Sequence, residues 1–126
     1  MIHILVVDDE DGFLDITRRI LTRIPDTGIL VAGNAEDAFR LIDEHAPELC
    51  FLDFNLNEKM SGLDVFTKAR KKNPKAIGIL VTGNFAVEMR PVCDAMGFSM
   101  ILEKPVLVSK ILEVAECYVK MIQQGS

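Results

Sequence analysis

Five short apolar runs, at residues 4–7, 29–32, 49–52, 77–81 and 100–102, punctuate the chain, and none alternates apolar with polar side chains. A strand with one wet face alternates, whereas a strand covered on both faces does not. Between the runs lie longer stretches with helical spacing. In the first, Phe13, Ile16, Ile20 and Ile24 share a face, with Arg18, Arg19 and Arg23 outside it. In the second, Ala35, Ala38, Phe39 and Ile42 line up ahead of Pro47. In the third, Leu63, Phe66 and Ala69 point inward, and Lys68, Arg70, Lys71 and Lys72 close it. Positive charge suits a helix C-terminus, so this run reads as a solvated helix end. The last stretch, 107–122, repeats Val108, Ile111, Leu112, Ala115 and Val119. Strand and helix alternate throughout, which predicts an α/β chain with a doubly wound, five-stranded parallel sheet, (βα)5. No linker or repeat interrupts the pattern, so residues 1–126 are expected to be one domain with no output domain.

Charge and composition narrow the function. A net charge of -5 argues against direct nucleic-acid binding and favours a cationic partner. Cys50, Cys93 and Cys117 form no CxxC pair, so they read as free buried thiols of a reducing compartment. His3 and His45 match no metal-ligand spacing and read as scaffold residues. The first apolar run is too short for a signal peptide, and no stretch is long enough to span a membrane. A soluble, cytoplasmic protein is expected.

In a sheet of this kind, ligands bind at the C-terminal ends of the strands. The first run ends on Asp8-Asp9, the third on Asp53, the fourth on Thr82 and the fifth on Lys104-Pro105. The second ends on Gly33-Asn34 and offers no reactive group. Each piece alone has an ordinary explanation: acids start helices, Asp enters turns, Thr favours strands. Together they converge acids, a hydroxyl and an ammonium on one edge. Closely placed carboxylates need a cation to stay ionised, and Mg²⁺ takes oxygen ligands while leaving positions open. A hydroxyl and a lysine then suit the oxygens of a phosphoryl group. One Asp is left to act as nucleophile. Glu10 and Asp11 are read as the start of the first helix, whose dipole tolerates them.

With these residues in place, the chain closely resembles the receiver domain of two-component response regulators, from residue 4 to about residue 122. The resemblance implies the flavodoxin-like strand order 2-1-3-4-5 and a phosphorylation switch in a phosphorelay. Asp53 would accept a phosphoryl group from phosphohistidine on a sensor histidine kinase or phosphotransfer protein. Asp9, Asp53 and the backbone carbonyl of Asn55 would hold Mg²⁺ (or Mn²⁺), with Asp8 acting directly or through water. Thr82 and Lys104 would hold the phosphoryl oxygens, across a Lys104–Pro105 bond that is usually cis. Asn55 and Asn84 occupy positions that tune phosphoryl lifetime. Such a domain is a phospho-acceptor, not an enzyme with a separate substrate. A hydrolase of the aspartyl-phosphate class would carry an acid where Asn55 stands. The remaining alternative is a protein-interaction module of the same fold, regulated without phosphorylation.

Four departures from the family pattern lead to further expectations. Asn57 replaces a usual proline in a loop one residue longer than usual before Met60-Ser61-Gly62. Ile101 replaces an aromatic that normally changes rotamer with phosphorylation, and it has no ring to swing. Pro91 falls midway through the expected fourth helix, which should therefore start near Pro91 and be short. Leu107 stands where a polar cap is usual, with Ser109 as a late candidate. With Phe98 and Ile101, the 106–108 segment outlines an apolar surface on the fourth-helix, fifth-strand, fifth-helix side. That surface would engage a downstream protein, a fused output domain or a second copy of the chain.

Overall fold

The computed structural model describes residues 1–56 and 59–125. The expectation about Asn57 lies outside the described residues. The elements run β1 (Ile2–Val7), α1 (Asp11–Leu21), β2 (Thr27–Ala32), α2 (Ala35–His45), β3 (Leu49–Leu52), α3 (Gly62–Lys72) and β4 (Ile77–Thr82). After β4 come a single 3-10 turn (Val87–Met89), α4 (Arg90–Met96), β5 (Met100–Glu103) and α5 (Val108–Gln124). All strand pairs are parallel, in the order β2-β1-β3-β4-β5. The βα alternation and the strand order expected from the sequence are both present.

The unbroken apolar runs are explained by two cores. Leu5, Val7, Cys50, Leu52 and Leu80 face α2, α3 and α4, where they meet Ala38, Ile42, Phe66, Ala69 and Cys93. Ile4, Val6, Leu49, Phe51, Ile79 and Val81 face α1 and α5, where they meet Leu14, Leu21, Ile111, Ala115 and Val119. Successive strand residues point to opposite faces, so a helix on each side requires every position to be apolar. Burying one such side chain is worth about 1.5–3 kcal/mol.

Local signals set the helix ends. In α2, the Asn34 side chain accepts from the Asp37 N–H at 2.8 Å. The helix stops at Ala46, in the left-handed conformation at φ 46°, just ahead of Pro47. At α3 the Ser61 hydroxyl accepts from Leu63 N–H at 3.1 Å and Asp64 returns a bond to Ser61 N–H at 2.8 Å. That reciprocal cap ties down the start of the helix. Pro91 sits in the first turn of α4, which is only seven residues long, so the short fourth helix expected from Pro91 is what forms. A missing N–H costs nothing there, because first-turn N–H groups have no helical partner. The Lys104–Pro105 peptide is cis.

Several expectations need correction. The buried face of α1 is Leu14, Thr17 and Leu21, while Ile16 is 52% exposed and Phe13 only half-buried. Two overlapping stripes have helical spacing here, and docking against β1, β2 and α5 selects the one carrying Leu14 and Leu21. Arg70 is not a solvated helix end. Its guanidinium lies 4.8 Å over the Phe66 ring and donates to Ala76 O at 2.6 Å and Gly97 O at 3.2 Å, joining α3 to the end of α4. Phe98 is buried against Phe66, with ring centroids 4.3 Å apart, and so leaves the proposed apolar surface. Cys117 is exposed, unlike Cys50 and Cys93. Ser109 lies inside α5, which begins at Val108 with Leu107 at its N-cap.

Candidate functional site

The sheet's hydrogen-bond ladder carries the strand-end residues into place. Asp8 N–H donates to Ala32 O at 3.1 Å, and Asp53 N–H to Val7 O at 3.0 Å. Lys104 N–H donates to Thr82 O at 2.9 Å. Asp8, Asp53 and Lys104 are thus each the first residue past a strand and Thr82 the last within one, all still anchored to a neighbour, with Asp9 and Asn55 just beyond. Asp8, Asp53 and Thr82 are buried.

The side chains converge. Thr82 Oγ1 donates to Asp53 Oδ1 at 2.8 Å, and Asn55 N–H donates to the same oxygen at 3.0 Å. Lys104 Nζ donates to Asp8 Oδ2 at 2.6 Å and to Asp53 Oδ2 at 3.1 Å. Asp8 Oδ1 accepts from Glu10 N–H at 2.9 Å. Asp8, Asp9 and Glu10 each offer a carboxylate oxygen, all within 4.8 Å of one another. The sequence assigned Glu10 only to the helix start, yet its Oε1 also lies 3.5 Å from Lys104 Nζ. A run of acids after a strand was the available signal, but sequence alone could not separate capping from convergence.

Burial pushes the Asp8 carboxyl above its usual range, against the pull of Lys104 and of the Glu10 N–H. Burial also draws Lys104 toward neutrality, but its hydrogen bonds to Asp8 and Asp53 outweigh this and raise its pKa. Lys104 therefore remains a fixed cation between two acids. A carboxylate has about four lone-pair sites. Among the described residues, Asp53 Oδ1 receives two donors and Oδ2 one.

These groups open onto a cleft of about 600 Å³ lined by Asp9, Asp53, Asn55, Asn84, Lys104 and, unexpectedly, Phe13. Asn84 adopts a left-handed φ of 49° that an amide side chain tolerates. Arranged this way, the site can bind a hard cation, neutralise an anionic group and present a carboxylate oxygen as a nucleophile.

The family model for the response regulator receiver domain matches residues 4–116. The chain belongs to the receiver-domain family of two-component response regulators. A probable chemotaxis protein CheY of Rhizobium etli is 30% identical over 120 residues, covering 91% of this chain and 90% of that protein. The probable transcriptional regulatory protein TcrX of Mycobacterium tuberculosis is 32% identical over 111 residues, which is 88% of this receiver and 47% of TcrX. Against the alginate biosynthesis regulatory protein AlgB of Pseudomonas syringae the share is 22% of the relative. This receiver therefore spans about half or less of the length of those transcriptional regulators. A CheY-like receiver domain structure from Methanospirillum hungatei superposes with a TM-score of 0.88 at 26% identity, covering 100% of this chain and 99% of that one. Among the described residues, no helix is long and apolar enough to cross a membrane.

Proposed function

We propose that this receiver is a phospho-acceptor switch in which Asp53 takes a phosphoryl group from a phosphohistidine. The observation that carries the reading is the geometry at Asp53, whose carboxylate accepts from Thr82 on one oxygen and from Lys104 on the other. The phosphorus–nitrogen bond of the donor breaks as a phosphorus–oxygen bond forms to Asp53. Thr82 Oγ1 and Lys104 Nζ, both already on Asp53, shift to the transferred phosphoryl oxygens and offset their charge. The acid cluster fits a divalent cation: Asp8, Asp9, Asp53 and the Asn55 carbonyl would hold Mg²⁺, with Glu10 close by. A cation held there would supply charge neutralisation at the acceptor. Mn²⁺ would substitute.

The donor is a sensor histidine kinase or phosphotransfer protein. Output passes to a downstream protein, a fused output domain or a second copy through the α4–β5–α5 side, where Val87, Val92 and Leu107 expose apolar surface. The setting is the cytoplasm.

Incubation with acetyl phosphate and Mg²⁺, read by intact mass, tests the reading. The native chain should gain one phosphoryl group and Asp53→Asn none. An unlabelled native chain would instead support an interaction module regulated without phosphorylation.

A further inference from the structure

The two histidines of the chain are distant in sequence, yet they meet where β1 begins and α2 ends. Their ring centroids lie 4.9 Å apart, with the planes tilted by 39°. His3 is held firmly: its N–H donates to Glu48 Oε1 at 3.0 Å, and its carbonyl accepts from Glu48 N–H at 3.1 Å. Gly28 pairs with His3 across the β1–β2 ladder and leaves the ring its room, since a Cβ there would sit 3.0 Å from His3 Cδ2. His45 is the last residue of α2, and Glu44 Oε2 lies 3.7 Å from its Nε2. The cluster stands at the opposite end of the sheet from the acceptor, roughly 16 Å from Asp8 along β1. The acceptor chemistry uses none of it. A tilt of 39° is neither the parallel nor the edge-on geometry that ring–ring attraction prefers. An ion shared by two imidazole nitrogens at about 2.0–2.1 Å sets the ring centres roughly 5 Å apart and its neighbouring ligand atoms about 3.3 Å apart. The separations of 4.9 Å and 3.7 Å lie near these values, so small side-chain rotations complete the set.

We propose that His3, His45 and Glu44 form a zinc site, separate from the acidic cleft, with water as the fourth ligand. Two histidines, a glutamate and a water make a recurrent four-coordinate environment for Zn²⁺. Each neutral imidazole donates a ring-nitrogen lone pair, and the carboxylate offsets one of the two charges of the ion. Imidazole suits zinc, whereas Mg²⁺ keeps to oxygen ligands, so donor type separates this site from the acidic cleft. Zinc held here ties the first strand to the end of α2. It stabilises the fold, because the unfolded chain does not hold the three groups together.

The test titrates Zn²⁺ by calorimetry into the native chain, His3→Gln, His45→Gln and Glu44→Gln, with excess Mg²⁺ present to occupy the acidic cleft. The native chain should take up one ion at this site. Each variant should weaken its binding at least about tenfold, since losing even an outer partner of a metal ligand costs that much. Zinc should also raise the thermal midpoint of the native chain and leave that of the two histidine variants unmoved. Imidazole nitrogen shifts recorded by NMR on the native chain should move for both His3 and His45 at one equivalent. That measurement holds whether or not a variant folds. Affinity unchanged in any of the three variants, or uptake without movement of both rings, would overturn the proposal and put the ion elsewhere on the chain. So would the absence of zinc uptake in excess Mg²⁺.

Discussion

Two residue positions show how closely chemistry follows environment. Burial pushes the Cys50 thiol up to about 12 and also raises Cys93, whereas Cys117 is exposed on α5. The thiolate is the reactive species, so buried thiols with raised pKa values are inert at pH 8. Titration with a disulfide reagent at pH 8 should detect one thiol in the native chain and all three in denaturant. Rapid reaction of a second native thiol would contradict the burial assigned to Cys50 and Cys93. Gly62 shows a different constraint, that of close approach. A Cβ there would press on the Asp53 carbonyl, with the carbonyl carbon at 2.9 Å and the oxygen nearer still. The two nearest obstacles are backbone atoms of Asp53, so Gly62→Ala must displace the backbone at the acceptor. It should destabilise the fold by about 1–3 kcal/mol and slow Asp53 labelling. Denaturant midpoints and labelling rates check both parts.

Among the elements, α4 is the one whose ends can be tested separately. Pro91 lies in its first turn, and Gly97 closes it at φ 92°, where an added Cβ would sit 3.0 Å from the Arg70 guanidinium. Proline at a helix start mainly restricts the unfolded chain, so Pro91→Ala should cost under about 1 kcal/mol. Gly97→Ala puts a side chain in the left-handed region and crowds the residue that ties α3 to α4. It should cost more, about 1–2 kcal/mol. Urea unfolding of the pair distinguishes a helix that begins at Pro91 from one that runs through it, since interior proline would make Pro91→Ala strongly stabilising.

The whole molecule should weaken in alkali. Hydrogen bonds to Asp8 and Asp53 outweigh burial and raise Lys104 above its ordinary 10.5, so its contribution is intact below pH 10.5 and lost as pH rises through the folded value. Burial makes Cys50 hold its proton more tightly in the fold than its ordinary 9.0, so unfolding is increasingly favoured above pH 9. Both groups push the same way. Urea midpoints followed from pH 7 to pH 11 should hold steady at first and fall beyond about pH 9. A midpoint that rises across this window would contradict the environments of both groups.

Local pattern was enough to dictate the βα alternation, the need for cover on both sheet faces and the polar residue that ends each functional strand. An unbroken apolar run has one favourable placement, and the sheet ladder then brings Asp8, Asp53, Thr82 and Lys104 to one edge. Pro91 likewise carried the start of α4 in its own ring chemistry. Other features came from the packing of elements. A helical repeat states which residues share a face but not how the helix is turned toward the sheet, so Leu14 and Leu21 replaced Ile16 in the core. The same rotation put Phe13 beside Lys104. Arg70 looked solvated until α4 supplied the Gly97 carbonyl, and His3 meets His45, with ring centroids 4.9 Å apart, only because β1 and α2 pack side by side. Contacts between residues distant in sequence depend on how elements dock, and no local pattern encodes that.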